Sequence, residues 1–174
     1  MSEKQKISVL MSVYIKENPT FLKDAIESVQ NQTLRPSELV LVEDGPLTPE
    51  LYQVLDQLEA ESDIPVKRYP LEQNQGLGLA LRYGVLQCQY DIIARMDTDD
   101  IAVPDRFEKQ VQLMEKDKLD LLGGHIAEFI DNPDELVSYR RVPTQHADIV
   151  AYQRMRSAFN HMTCLLYTSP SPRD

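Results

Sequence analysis

The chain is poor in cysteine and in basic residues, and it lacks long apolar runs. Its two cysteines cannot build a disulfide framework, which favours a reducing compartment. Lys and Arg number 18 against 28 Asp and Glu, and the formal net charge of −10 argues against a nucleic-acid partner, which normally meets a basic face. No apolar run approaches the roughly 18 residues of a membrane span, and the N-terminus has no apolar core of the secretory type. We therefore expect a cytoplasmic protein without a transmembrane segment.

Glycine-rich phosphate loops are also absent. Neither a P-loop nor a Gly-x-Gly-x-x-Gly motif occurs among the six glycines, which excludes the commonest phosphate-binding loops. With 42% apolar and 26% charged residues, the 174-residue chain has the composition of one ordinary globular domain. An acidic chain of this kind can still bind a nucleotide if a metal ion supplies the positive charge.

Apolar runs typical of strands alternate with amphipathic helical patterns along the chain. Asn18-Pro19 and Thr48-Pro49 each combine a helix N-cap with a first-turn proline. This alternation predicts right-handed crossovers and an α/β fold, with a parallel sheet covered by helices on both faces. The predicted strands cover residues 7–13, 39–42, 65–69 and 92–96, and the predicted helices begin near residues 19, 49, 77 and 104, the third running to Cys88.

Three carboxylates follow the fourth predicted strand, in Asp97-Thr98-Asp99-Asp100. Mg²⁺ and Mn²⁺ prefer oxygen ligands, and Mg²⁺ is commonly shared between one or two carboxylates and substrate phosphates. Because the carboxyl ends of parallel strands meet at one edge of the sheet, Ser12-Val13-Tyr14 and Glu43-Asp44 should lie beside this acidic segment. The sequence therefore favours a metal and nucleotide site at that edge. The alternative is an acidic turn that caps the next helix.

Five segments occur in the same order as the motifs of a known family, and together they resemble family 2 glycosyltransferases. They are Ile7–Tyr14, Leu39–Gly45, Asn74–Gly78, Ala94–Asp100 and Pro104–Arg106. The resemblance covers about residues 7–163. It implies a GT-A fold, a Rossmann-like and mostly parallel sheet with helices on both faces. It also implies inverting transfer of a sugar from a nucleotide-sugar donor, most often a UDP-sugar, to an acceptor hydroxyl with Mg²⁺ or Mn²⁺.

The same resemblance implies partners and a setting. The partners are the nucleotide-sugar donor and an acceptor that is an unidentified glycan or lipid-linked molecule. The setting is polysaccharide biosynthesis in the cytoplasm, or in a peripheral position at the inner face of the membrane.

Site residues follow from the resemblance motif by motif. Asp44 is expected within hydrogen-bonding reach of the uracil, and Asp99 is expected to be the main metal ligand. Asp97 and Asp100 would assist at the metal site, by binding ribose or by ordering the waters of the metal. The implied donor-binding residues are Ser12, Val13, Tyr14, Asp44, Asn74, Gly76, Arg95, Asp97, Thr98, Asp99 and Asp100, and the implied metal ligands are Asp97, Asp99 and Asp100.

Several of these residues allow a second interpretation. Arg95 can pair with phosphate or neutralise a neighbouring carboxylate. Arg106 can reach phosphate, but a salt bridge on the helix surface is the preferred expectation. The segment with Asn74 and Gly76 can equally be a plain turn into a helix. His161 lies where family members approach the acceptor, and its role is left open.

Inverting transfer needs a carboxylate that takes the proton of the acceptor hydroxyl, and the resemblance puts this base beyond residue 163. Glu128, Asp131 and Asp134 are available carboxylates that read as loop residues. The last eleven residues, 164–174, show no helical or strand period and resemble a translated adapter remnant, a native Ser/Pro-rich tail being the alternative. We therefore predict an incomplete glycosyltransferase domain over residues 1–163 and a non-native tail over residues 164–174.

Two other functions are compatible with parts of the pattern. A non-catalytic nucleotide-sugar-binding module would bind the donor with metal and never turn it over. A nucleotidyltransferase also combines a parallel sheet with metal-bound carboxylates, but it needs a loop with glycine and Lys or Arg after the first strand, and Ser12–Glu17 has no glycine.

Overall fold

A computed structural model describes residues 5–130 and 132–168, which form eight strands and five α-helices. The strands are β1 (Ile7–Val13), β2 (Glu38–Glu43), β3 (Val66–Pro70), β4 (Ile92–Arg95), β5 (Leu121–Leu122), β6 (Ile126–Phe129), β7 (Leu136–Arg140) and β8 (Leu165–Tyr167). The helices are α1 (Pro19–Gln30), α2 (Pro49–Glu61), α3 (Leu77–Val85), α4 (Arg106–Asp117) and α5 (His146–Gln153).

The main sheet has six strands in the order β3-β2-β1-β4-β8-β5. The four strands from β1 to β4 pair in parallel, whereas β8 runs antiparallel to both β4 and β5. This arrangement confirms the prediction of an α/β fold with a mostly parallel sheet. It also brings the carboxyl ends of β1, β2 and β4 to one edge, because these three strands are neighbours.

Alternate residues of the central strands belong to two separate apolar layers, one on each face of the sheet. Val9 and Met11 of β1 pack with the helices α1, α2 and α4 on one face of the sheet, whereas Leu10 packs with α3 on the other. The apolar residues of β1 and β2 are buried in both layers, so these strands present apolar side chains to both faces, as expected of central parallel strands. The sheet is therefore covered by helices on both sides, as the sequence predicts.

Helix ends follow the capping signals closely. Asn18 Oδ1 accepts a hydrogen bond from Thr20 N at 2.8 Å, and Thr48 Oγ1 accepts one from Leu51 N at 3.3 Å. The third helix ends at Val85 rather than Cys88. Close packing marks this helix, because a Cβ on Gly84 would lie 2.4 Å from Leu10 Cδ1.

The segment after residue 163 differs from the expectation that it has no strand character. Leu165–Tyr167 form β8, and Arg95 N donates to Cys164 O at 2.8 Å. Leu165 is fully buried, so an apolar side chain in the core holds this short strand, whose three residues are too few to show a period. The boundary at residue 163 therefore does not coincide with an edge of the fold. The non-native origin of residues 164–174 stays a prediction, and residues 169–174 lie outside the described part.

Outside the main sheet, β6 and β7 form a two-stranded antiparallel hairpin, and α5 follows it without a single buried residue. Within residues 5–130 and 132–168, no helix has both the length and the apolar character needed to cross a bilayer.

Candidate functional site

A cleft of about 400 Å³ lies at the edge where β1, β2 and β4 end. Ligands of open α/β sheets bind at such strand ends, next to the point where neighbouring crossovers leave in different directions. Eleven residues from five parts of the chain line it: Ser12, Tyr14, Glu17, Asp44, Asn74, Gly76, Leu77, Asp97, Thr98, Asp99 and His161.

Asp44, which follows β2, organises one wall of the cleft. Its Oδ1 accepts a hydrogen bond from Gln75 N at 2.7 Å, and its Oδ2 accepts one from Gly76 N at 3.0 Å. Asn74 Nδ2 donates in turn to the Asp44 carbonyl at 3.2 Å. Asp44 is 3% exposed, so these bonds form where water competes little. The carboxylate thus fixes the segment that leads into α3.

Gly45 is required at the next position for two reasons. Its φ of +85° lies in the left-handed region, where a Cβ is strained. A Cβ there would also lie 2.6 Å from Asn74 N, so the chain before α3 can approach only a glycine. The Asp44-Gly45 pair therefore sets both the hydrogen bonds and the close approach of this wall.

The acidic segment after β4 forms the opposite side of the cleft. One carboxylate oxygen from each of Asp97, Asp99 and Asp100 lies within 4.8 Å of the other two. Burial, together with the charges of Asp97 and Asp99, raises the pKa of Asp100 to about 6. Asp100 Oδ2 is buried and has no hydrogen-bond partner among the described residues. Closely spaced carboxylates with an unsatisfied buried oxygen fit the ligand preference of a hard cation.

Arg95 and His161 both contact Asp97. The Arg95 guanidinium forms an ion pair with Asp97 Oδ1, and His161 Nδ1 lies 3.4 Å from Asp97 Oδ2. Arg95 is 5% exposed, and its Nε and Nη2 have no hydrogen-bond partner within the described ranges. The structure thus shows Arg95 paired with a carboxylate, and its contact with phosphate stays a prediction.

Arg106, at the start of α4, makes its hydrogen bonds inside the protein. Its Nη2 donates to Arg95 O at 2.8 Å, and its Nε donates to Gln110 Oε1 at 3.0 Å. Burial lowers the pKa of Arg106 to about 10. The expected salt bridge on the helix surface is therefore wrong, because the buried guanidinium donates instead to the carbonyl of the last residue of β4. Contact of Arg106 with phosphate stays a prediction.

Glu17 is a cleft residue that the sequence reasoning missed. Its Oε2 accepts a hydrogen bond from Thr98 Oγ1, which ties the loop after β1 to the acidic segment. Thr98 Oγ1 also lies 3.4 Å from the Ser12 carbonyl. A carboxylate four residues past the end of a strand was the signal available. Leu77, at the start of α3, was missed as well.

The structure brings most of the predicted site residues together. Three of the predicted donor-binding residues do not line the cleft. Val13 is fully buried, because alternate residues of a strand face opposite sides and its side chain points into the core. Arg95 and Asp100 lie beneath the cleft floor, in contact with or close to Asp97. The residues that do line it are Ser12, Tyr14, Asp44, Asn74, Gly76, Asp97, Thr98 and Asp99.

The three carboxylates of the acidic segment suit a divalent cation that prefers oxygen ligands. Carboxylates alone, without thiol ligands, favour Mg²⁺ or Mn²⁺ over Zn²⁺. Asp99 is exposed, and within the described ranges it forms neither a hydrogen bond nor an ion pair, whereas Asp97 is already paired with Arg95. Asp99 and Asp100 are thus the carboxylates most available to a cation.

Similar proteins point to one family. The sequence profile described as Glycosyl transferase family 2 matches residues 8–169. A protein of Haemophilus influenzae described as an uncharacterized glycosyltransferase is 51% identical over 159 residues, which are 91% of this chain and 59% of that protein. The UDP-Gal:alpha-D-GlcNAc-diphosphoundecaprenol beta-1,3-galactosyltransferase of Escherichia coli is 39% identical over 157 residues, 90% of this chain and 56% of that protein.

A solved structure shares the fold at low identity. The mannosyltransferase PcManGT from Pyrobaculum calidifontis, in complex with GDP-Man and Mn²⁺, aligns with a TM-score of 0.67 and 13% identity. The alignment covers 95% of this chain and 45% of that one, and it confirms the GT-A type of fold. This chain spans about three fifths of the length of the curated relatives it matches. Because the family profile covers nearly all of the described residues, the chain belongs to glycosyl transferase family 2.

Proposed function

We propose that this chain binds a UDP-sugar in the cleft together with Mg²⁺ or Mn²⁺, as the donor-binding part of an inverting glycosyltransferase. The observation that carries the proposal is the pairing of two walls in one cleft. The segment that Asp44 binds, which leads into α3, lines the same cleft as the carboxylates of Asp97 and Asp99. The volume of this cleft is about 400 Å³. The name of the Escherichia coli relative, which specifies UDP-Gal, supports a uridine nucleotide as the donor.

The acidic wall is assigned to the diphosphate side of the donor. Asp99 would hold the cation as its main ligand, because its carboxylate is exposed and free of ion pairs in the described structure. Asp100 would contribute from below, and Asp97 would remain oriented by Arg95. When bound, the cation supplies electrostatic stabilisation of the charge that develops on the departing diphosphate.

The other wall is assigned to the nucleoside. Ser12 and Tyr14 stand at the end of β1, and the half-exposed Tyr14 ring offers a flat apolar surface to a base. Asn74 and Gly76 lie on the segment held by Asp44. Each Asp44 oxygen still has a lone pair besides the one used internally, so direct contact with the uracil stays part of the proposal.

The acceptor and the base complete the proposal. The acceptor is an unidentified glycan or lipid-linked glycan, consistent with the diphosphoundecaprenol compound in the name of the Escherichia coli relative. Among the carboxylates of the β6–β7 region, Glu128 is unsuited to be the base, because hydrogen bonds from Ser138 and Arg140 lower its pKa. Asp134 lies in the hairpin turn, and Asp131 lies outside the described residues. The base is therefore still expected beyond residue 163, and we expect donor binding without efficient transfer from these 174 residues.

The test is calorimetric titration of UDP into the folded chain, with Mn²⁺ and with EDTA. Metal-dependent binding is expected, and the substitution Asp99→Asn should weaken it by about tenfold or more. Asp24→Asn, which removes the same charge from the exposed side of α1, is the matched control and should change nothing. Equal UDP binding in EDTA, or no binding by a cooperatively folded sample, would contradict the proposal.

A further inference from the structure

The loop after β1 and the acidic segment after β4 are joined by a hydrogen bond between two side chains. Thr98 Oγ1 donates to Glu17 Oε2, and we call this contact the Glu17–Thr98 bridge. Thr98 is 3% exposed, so water competes little with the bond. A hydroxyl has a single proton, and the Ser12 carbonyl lies 3.4 Å from the same oxygen, which is long for a hydroxyl donor. The Glu17 carboxylate is therefore the main acceptor for Thr98.

Glu17 is fixed within the loop that carries Tyr14. The backbone N of Glu17 donates to the Tyr14 carbonyl at 3.0 Å, which closes a tight turn, and Glu17 Oε1 accepts a hydrogen bond from Asn18 N at 3.0 Å. Asn18 in turn caps α1 through Thr20 N. One oxygen of the Glu17 carboxylate is thus held within the loop and the other is held by Thr98, so the bridge connects the turn at Tyr14 with the acidic segment.

Thr98 stands between two of the carboxylates that we assign to the cation. Asp97 and Asp99 are its neighbours in the chain, and both line the cleft together with Thr98 and Glu17. Because Thr98 is buried and its hydroxyl is bound, the backbone on either side of it has little freedom, and the positions open to the two carboxylates are restricted. Without the bridge, a cation would have to order this segment itself as it binds, at a cost in affinity.

We propose that Glu17 is a positioning residue that couples the two sides of the cleft through Thr98. Cation binding orders the acidic segment and, through the bridge, the turn at Tyr14, so the cation and the uridine part of the donor strengthen each other's binding. The inference rests on the proposed function, because it takes the cation and the nucleoside as the ligands of the cleft. It adds that the two sides communicate through the protein, and not only through the diphosphate of the donor.

A bond with a purely structural role would have a different consequence. It would stabilise the fold, but the affinity for the nucleoside would not depend on the cation. Uridine distinguishes the two roles, because it has neither a phosphate nor a charge and cannot bind the cation through a diphosphate. An effect of the cation on uridine affinity that depends on Glu17 therefore passes through the protein.

The test is equilibrium dialysis of uridine against the 174-residue chain, once with saturating Mn²⁺ and once with EDTA. In the unmodified chain, Mn²⁺ should raise the uridine affinity by about fivefold or more. Glu17→Ala and Thr98→Val each remove the bridge, so in both variants the ratio of the two affinities should fall towards unity. Thr98→Ser keeps the hydroxyl and should retain most of the effect. The double variant should lose no more than either single variant, because all three lack the same bond.

A hydrogen bond of the same kind outside the cleft provides the matched control. Thr33 Oγ1 donates to Glu108 Oε2 at 2.8 Å and joins the chain after α1 to α4, and neither residue lines the cleft. Thr33→Val and Glu108→Ala should leave the ratio of uridine affinities unchanged, whatever their effect on the free energy of unfolding. Circular dichroism and urea denaturation should confirm that every variant is folded under the conditions of the dialysis.

UDP, measured in the same dialysis, separates failure of this inference from failure of the proposed function. The coupling is overturned, and metal-dependent UDP binding stands, if Mn²⁺ leaves the uridine affinity of the unmodified chain unchanged or if uridine does not bind at all. It is also overturned if the ratio survives in both Glu17→Ala and Thr98→Val, or if the control variants lose it equally. A folded chain that binds neither UDP nor uridine removes the proposed function and this inference with it.

Discussion

Asp44→Asn separates the two roles that a carboxylate at this position can have. The side chain keeps its shape, but one oxygen becomes an amide that donates, so either Gln75 N or Gly76 N loses its acceptor and meets a second donor. A hydrogen bond to a charged group contributes about 1.5–3 kcal/mol, and an unsatisfied buried donor costs a comparable amount. We therefore expect the free energy of unfolding to fall by about 2–4 kcal/mol.

Glu38→Gln is the matched control, since Glu38 is an equally buried carboxylate at the other end of the same strand. Its oxygens accept hydrogen bonds from Ser8 Oγ at 2.6 Å, from Lys67 Nζ at 2.7 Å and from Gln89 N at 2.6 Å. Both variants should therefore lose stability in urea denaturation. Only Asp44→Asn should also lose UDP affinity in calorimetry, because the segment leading into α3 would leave its place at the cleft.

Two results would refute this reasoning. If Asp44→Asn were as stable as the unmodified chain but bound no UDP, Asp44 would act by touching the nucleotide rather than by holding the wall. If Asp44→Asn were unstable yet bound UDP normally, the position of the segment would not matter for binding. Equal loss of affinity in Glu38→Gln would show that any destabilisation of β2 weakens the site.

Three further predictions concern the site. The pKa of Asp100, raised to about 6 from an ordinary 3.8, means that the folded protein binds a proton there more tightly than the unfolded chain. Without metal, the contribution of this group to the free energy of unfolding is fully present below pH 3.8 and is lost as the pH rises through about 6. Urea denaturation in EDTA at several pH values should show this dependence of stability on pH, and Asp100→Asn should remove it. Mn²⁺ affinity should fall by about tenfold for each pH unit below the pKa of Asp100, measured by calorimetry, and a flat profile would contradict the assignment. Gly45→Ala should lower the free energy of unfolding by about 1–3 kcal/mol or more, because its Cβ adopts a strained φ and collides with the backbone of Asn74; an unchanged urea midpoint would contradict this.

The central sheet could be predicted because its signals are local. Each signal lies within a few consecutive residues: the helix N-caps are at Asn18 and Thr48, and β1 and β2 are mainly apolar runs. The handedness of crossovers then fixes how these strands pair. The strand β8 could not be found in this way. Three residues carry no period, and β8 is held by pairing with β4 and β5 and by the burial of Leu165. These contacts join parts of the chain that are distant in the sequence, so no local pattern reports them.

Most of the residues that line the cleft were predictable for a similar reason, because the carboxyl ends of parallel strands meet at one edge of the sheet whatever their sequence. The direction of each side chain was less accessible. Val13 is one residue from two cleft residues, yet it faces the core, and Arg95 is two residues from Asp97, yet it pairs with Asp97 from beneath. The contact of Glu17 with Thr98 joins residues 81 positions apart, so no local pattern announces it.

The three acids of the Asp97–Asp100 segment look equivalent in the sequence and are not equivalent in the structure. Asp97 forms an ion pair with the buried Arg95. Asp100 is held in a buried position where its own charge is disfavoured, so it ionises fully only near or above neutral pH or beside a cation. Asp99 is left as the exposed carboxylate that is unpaired within the described residues. On the proposal that this segment holds a cation, Asp99 would meet the cation first, and the ionisation of Asp100 on binding would make the affinity of the site depend on pH.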